Sequence, residues 1–314
     1  MYLNKIIMCK RILSFFVFFS YFLTAAMAQN GGSIPFADPF ILQDNGKYYL
    51  YGTNTDLGIP VLVSDNLKEW SSPNGENLCL ALNRDDSYGN YFFWAPEVYK
   101  VGDRYIMYYS SEEHICVAES NSPIGPFKQK EKKPILEEVG IDSHLFVDDD
   151  GKPYLFWVRY NNGNEIWVAE LEEDLAHVVP GTETLCIKTS QDWEKVWPSV
   201  NEGPFVVKNG NEYYLTYSAN CYLSPSYGVG FAVSESVKGP WKKSENNPIL
   251  QFYHGLEGVG HHALFDGNDG KKYIVFHSHN KPGTVHPRIA HIAEYFFDNS
   301  QIVISQDFFT PTMK

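Results

Sequence analysis

One phrase recurs five times along the chain, and this repetition limits the fold more than any other feature. It reads GKYYLYGTN at 46 to 54, GDRYIMYYS at 102 to 110, GKPYLFWVR at 151 to 159, GNEYYLTYS at 210 to 218 and GKKYIVFHSH at 270 to 279. Each copy opens on a glycine turn flanked by Asp or Asn and runs into aromatic and branched residues, the pattern of a hairpin feeding a β-strand. A shorter apolar phrase precedes each copy: DPFIL from Asp38, APEVY from Ala95, DSHLF from Asp142, EGPFV from Glu202 and HHALF from His261. A third strand follows each one, in IPVLVSD, HICVAES, EIWVAEL, VGFAVSES and RIAHIAEYF, and Pro134-Ile135-Leu136 and Pro248-Ile249-Leu250 read as the starts of fourth strands. Four strands recurring at roughly 47 to 60 residues predict an all-β chain folded as a five-bladed β-propeller.

The repeats begin only after a leader. Lys5, Lys10 and Arg11 precede an apolar run from Ile12 to Ala26 that ends in Ala26-Met27-Ala28, which predicts a signal peptide over residues 1–28. The run is too short to span a bilayer. Residues 29–314 are then expected to form one propeller, secreted or periplasmic and without a membrane partner after cleavage. The formal net charge is −13, and near −16 without the three basic leader residues, which argues against nucleic acid or an anionic membrane as a partner. Cys79, Cys116, Cys186 and Cys221 lack zinc-type spacing and read as free thiols or at most one pair. The tyrosine pairs at 48-49, 108-109 and 213-214 invite a sugar-platform reading, but the recurrence of aromatics from repeat to repeat marks them as packing between blades.

Aligning the five innermost strands sets Asp38, Ala95, Asp142, Glu202 and His261 at equivalent positions, so three acids and a histidine converge near the axis. Crowded or desolvated carboxylates have their pKa raised, so one can hold a proton near neutral pH while another stays ionised. Glycoside hydrolysis needs that division: an acid protonates the leaving oxygen while a carboxylate activates water or attacks carbon. A binding propeller without catalysis would have no use for three mutually repelling carboxylates.

At these residues the chain resembles glycoside hydrolase family 43 over nearly all of its length after the leader. The resemblance is carried by Ala37-Asp38-Pro39-Phe40, Trp94-Ala95-Pro96-Glu97, Ile141-Asp142-Ser143-His144, Glu202-Gly203-Pro204-Phe205 and Gly260-His261-His262, one in each repeat and in order. It implies Asp38 as general base, Glu202 as general acid, and Asp142 as the carboxylate that raises the pKa of Glu202 and orients it, in an inverting reaction. It also implies Arg288 and Trp94 as substrate-binding residues and a structural calcium ion on the axis beside His261, with no cofactor required for the chemistry. His262, one residue along an alternating strand, should face away. Asp148-Asp149-Asp150-Gly151 and Asp266-Gly267-Asn268-Asp269-Gly270 lack the glutamate of an EF-hand and read as hairpin turns. The implied partner is a carbohydrate, and the implied activities are α-L-arabinofuranosidase, β-xylosidase, endo-arabinanase and exo-β-galactosidase. No stretch remains for the extra β-sandwich of many xylosidases, which favours an exo-acting arabinofuranosidase.

Overall fold

A computed structural model describes residues 31–314 except 77 and 198; the expected leader lies outside the described residues. Five antiparallel sheets follow one another along the chain. Their three inner strands are Ala37–Asp44, Lys47–Thr53 and Gly58–Ser64 in blade 1, and Trp94–Val101, Arg104–Ser111 and His114–Ser120 in blade 2. Gly140–Val147, Pro153–Tyr160 and Asn164–Glu170 form blade 3, Asn201–Asn209, Glu212–Ala219 and Gly228–Ser234 blade 4, and Gly260–Asp266, Lys272–Ser278 and Ile289–Asp298 blade 5. The expected five-bladed propeller is the observed fold, and each blade runs in sequence from its innermost strand outward.

The fourth strands depart from the sequence reading. They are Leu80–Asn83, Thr184–Ile187, Lys242–Lys243 and Gln301–Phe309, with a single bridge from Lys128 to Glu119 completing blade 2. Pro134-Ile135-Leu136 and Pro248-Ile249-Leu250 do not start strands; Ile135 donates one backbone bond to Ile115, and Leu250 makes an isolated bridge with Val229. A proline lacks the donor a ladder needs, so these segments brush an outer strand and turn away.

Bulky side chains filling the space between blades hold them apart and together. One cluster built around Phe36, Tyr51, Trp70, Tyr109, Tyr214 and Phe276 binds blades 1, 2, 4 and 5, and others join blade 3 to blades 2 and 4. Tyr48, Tyr108, Tyr109, Tyr213 and Tyr214 are buried there, so the paired tyrosines are packing elements. The acidic runs are turns: Asp148 closes onto Lys152 and Gly267 onto Lys271 by backbone hydrogen bonds. Cys79, Cys116 and Cys186 carry free thiols.

All five innermost strands carry the same irregularity. The pairs Ala37 with Thr53 and Phe40 with Tyr51 take three steps on the inner strand against two on its neighbour, so one inner residue is extra. Trp94 to Glu97, Ile141 to His144, Glu202 to Phe205 and Gly260 to Ala263 repeat the bulge. The extra residue adopts a left-handed backbone, at Asp38 (φ 48°), Ala95 (45°), Asp142 (57°), Gly203 (55°) and His261 (43°). A bulge re-aims the side chain beside it, and five of them around one axis turn five inner residues to a common centre.

Candidate active site

The bulges correct the alignment read from the sequence. Asp38, Ala95, Asp142 and His261 do share one slot, but the fourth blade fills it with Gly203. Glu202 stands one residue earlier, level with Ala37, Trp94, Ile141 and Gly260. A β-carbon at Gly203 would lie 3.4 Å from the His261 ring, so the empty slot leaves that imidazole its place.

Each left-handed residue sends its N–H toward the preceding blade. Ala95 donates to Thr53 Oγ1 (3.0 Å), Asp142 to Ser110 Oγ (3.1 Å), His261 to Ser218 Oγ (2.8 Å) and Asp38 to His277 Nδ1 (3.1 Å). These acceptors face the bulges at matching register positions of the second strands. Blade 3 has Val158 at that position, which cannot accept, and the N–H of Gly203 turns instead to Asp142 Oδ2 at 3.2 Å. A buried backbone donor must find a partner, and here the search ties a carboxylate into the ring.

Asp38, Asp142 and Glu202 are all buried. Burial raises the pKa of Asp38, but Arg288, His261, His277 and a hydrogen bond from Thr53 overcome it and hold the carboxyl well below the usual range. Arg288 Nη1 donates to Asp38 Oδ1 at 2.9 Å, with His261 Nδ1 and His277 Nδ1 at 3.4 and 3.5 Å from the same oxygen. Glu202 moves the other way. Burial pushes it up, hydrogen bonds from Tyr227 and Asn164 and the charge of Arg288 oppose that, the charge of Asp38 adds to it, and its pKa settles at about 7. Tyr227 donates to Oε1 at 2.8 Å and Asn164 Nδ2 to Oε2 at 3.1 Å. Burial first, then the charges of Glu202 and Asp38, push Asp142 well above the ordinary carboxylate range. Burial and the charge of Asp38 thus push both Asp142 and Glu202 up.

Arg288 follows the His286-Pro287 peptide and lays its guanidinium over Tyr222, 4.5 Å from the ring centre. Trp94 is half-buried one residue before the Ala95 bulge, with Phe92 stacked on one face at 4.5 Å and 23°. His262 is buried against the preceding blade, where it bonds Thr216 Oγ1 at 2.6 Å. His277, Tyr227, Asn164 and Thr53 were not singled out from the sequence. Thr53 and His277 share one signal there, the polar residue near the end of the second strand in four repeats; Tyr227 and Asn164 carry none.

Among the described residues no group of three or more His, Cys, Asp or Glu side chains is arranged to hold a metal ion. His261 offers one imidazole, and it faces Asp38. The axial cavity lined by Asp38, Glu97, Asp142, Gly203 and His261 measures about 10 Å³, room for about one water. Calcium takes six to eight oxygens, so these residues do not fit the ion expected beside His261.

Two carboxyls of opposite protonation preference beside a guanidinium can deliver a proton and accept one. Among the described residues no helix is long and apolar enough to cross a membrane. Curated relatives include an extracellular exo-α-(1→5)-L-arabinofuranosidase of Streptomyces chartreusis, 26% identical over 77% of this chain and 79% of its own. A β-D-galactofuranosidase of Aspergillus niger is 25% identical over 68% of this chain, which spans 57% of that relative's length. Among solved structures, an endo-1,4-β-xylanase of Bacteroides thetaiotaomicron superposes with a TM-score of 0.87 at 42% identity, covering 90% of this chain and 99% of that one. A thermostable family-43 glycoside hydrolase superposes with a TM-score of 0.80 at 36% identity, over 88% and 95%. Residues 33–299 match the sequence profile of glycosyl hydrolases family 43, and with the fold and these relatives that match means that the chain belongs to this family of glycoside hydrolases.

Proposed function

We propose that the protein is a secreted, inverting glycosidase that releases a pentose from arabinose- or xylose-containing plant polysaccharide, with α-L-arabinofuranosyl ends as the first substrate to try. The observation that carries this reading is the split of protonation between Asp38, held ionised, and Glu202, poised near 7. Glu202 gives its proton to the leaving oxygen, and Asp38 takes one from the water that attacks the opposite face of the sugar. Asp142 keeps a proton close to Glu202 and, through the N–H of Gly203, fixes the backbone from which Glu202 projects. So strongly acidic a carboxylate is a weak base. Sugar hydroxyls that draw hydrogen bonds from Arg288 loosen its hold on Asp38 and strengthen the base as substrate binds. No cofactor takes part.

Secretion is supported by the leader pattern and by relatives whose names include the word extracellular. The 42% identical neighbour, named an endo-1,4-β-xylanase, favours β-1,4-linked xylose as a second substrate reading. The test is a panel of arabinofuranosides, xylosides and galactosides, with proton NMR of the sugar first released. A pentose should appear with inverted anomeric configuration; retention, or cleavage of none of the panel, contradicts the reading.

A further inference from the structure

The aromatic surface of the site extends past Trp94. Phe92 stacks on Trp94, and Tyr91 meets Phe92 edge to face at 4.7 Å and 85°. Tyr91 is 45% exposed, which is unusual for a large ring in a chain that buries most of its tyrosines. Phe92 holds a left-handed backbone (φ 61°), a conformation that costs a bulky residue about 1–2 kcal/mol. The segment is pinned from both sides: Phe92 N–H donates to Asp56 Oδ1 (3.0 Å), Asn90 N–H donates to Glu112 Oε1 (2.9 Å), and Glu112 N–H donates to the carbonyl of Tyr91 (3.1 Å).

The brace on that segment is itself strained. Ser111 pairs with His114, so Glu112 and Glu113 form a two-residue hairpin turn, and both are left-handed (φ 48° and 58°). Such turns are ordinarily made by Asn and Gly. Glu113 Oε1 accepts a bond from the Tyr160 hydroxyl at 3.3 Å, and Tyr160 stands across its turn from Asn164, the residue that holds Glu202. One strained turn thus holds the backbone that carries the outer aromatic rings on one side and reaches the shell of Glu202 on the other. Strain of this kind persists where the surroundings over-determine it, and it gathers at ligand-binding sites.

We propose that Tyr91 and Phe92 form a step that binds a second sugar ring beside the catalytic pocket, held in place by the Glu112-Glu113 turn, so that the enzyme favours oligomeric pentosides over single ones. A flat, partly exposed ring next to a half-buried one offers a sugar face its stacking surface without the cost of ordering a mobile side chain. This rests on the pentosidase reading above. The test compares kcat/KM on arabinotriose and xylotriose with kcat/KM on the matching aryl pentosides, for the parent and for Tyr91→Ala. The ratio of trimer to aryl substrate should fall roughly threefold to tenfold, mainly through KM. Tyr91 is exposed enough that its loss opens no core cavity, and an unshifted Tm shows that the variant folds as the parent does. An unchanged ratio with an active parent overturns the step and leaves the pentosidase reading standing. A parent that cleaves neither class of substrate overturns that reading and the step with it.

Discussion

Asp38 and Glu202 are comparably buried carboxyls, yet one is held well below the usual carboxylate range and the other rises to about 7, because their neighbours differ. Around Asp38 stand a guanidinium and two imidazoles; around Glu202 stand a phenol, an amide and the charge of Asp38 itself. Activity should therefore fall on the alkaline side as Glu202 loses its proton near pH 7, while the acidic limb lies low, below the ordinary range of an aspartate. Tyr227 favours the ionised form of Glu202, so Tyr227→Phe should move the alkaline limb up by about one unit, the worth of a hydrogen bond to a charged group. A pH–rate profile of kcat/KM checks the sign, and a downward shift would contradict it. Asp38, Asp142 and Arg288 were legible in the sequence because each sits in a short motif with a distinctive neighbour. The true slot of Glu202 was not, because the acids align by chemistry while Gly203, and not Glu202, takes the bulge position that Asp38 holds in the first blade. His277, Tyr227 and Asn164 reach the site from second and third strands of three blades, and nothing local in the sequence says that they meet.

Each blade lends its element ends to the next. The N–H groups freed by the bulges are taken up by Thr53, Ser110, Ser218 and His277 on second strands, so the ring of inner strands is stitched by side chains as well as by packing. First, second and third strands could be read from the sequence because they alternate and repeat. Fourth strands could not: Lys242–Lys243 is two residues long and charged, and blade 2 keeps only a bridge. An outer strand meets the core on one side only, so little in its composition is constrained. The turn at Glu112-Glu113 is an element kept against its local preference. Replacing it with Asn-Gly preserves the backbone path while removing two left-handed penalties of about 1 kcal/mol each. Tm should rise by a few degrees, even after the loss of the Asn90 and Tyr160 contacts. A fall in Tm would mean that those contacts outweigh the strain.

Among the described residues the four-stranded sheets of the first and last blades are each built from their own segment, and the seam between them is joined by packing and by a two-residue strand that follows the last blade. Thr312–Met313 pairs in parallel with Glu69–Trp70, and Ala290 bonds back to Ile34. The number of blades followed from the repeat, but this seam did not, since two-residue strands leave no pattern. Closure matters to function because Asp38 comes from the first blade while Arg288, His261 and His277 come from the fifth, so the charge balance of the base exists only in the closed ring. The division of labour within that ring is tested most directly by turnover of Glu202→Gln and Asp38→Asn on two substrates, an activated aryl pentoside and a natural pentose disaccharide. Glu202→Gln should lower turnover of the disaccharide by about two to four orders of magnitude, the usual worth of a positioned acid, and harm the aryl substrate much less, because that leaving group needs little protonation. Asp38→Asn should damage both alike, since water must be activated whatever leaves. Near-parental turnover by both variants, or equal losses on the two substrates for Glu202→Gln, would contradict the assignment of acid and base.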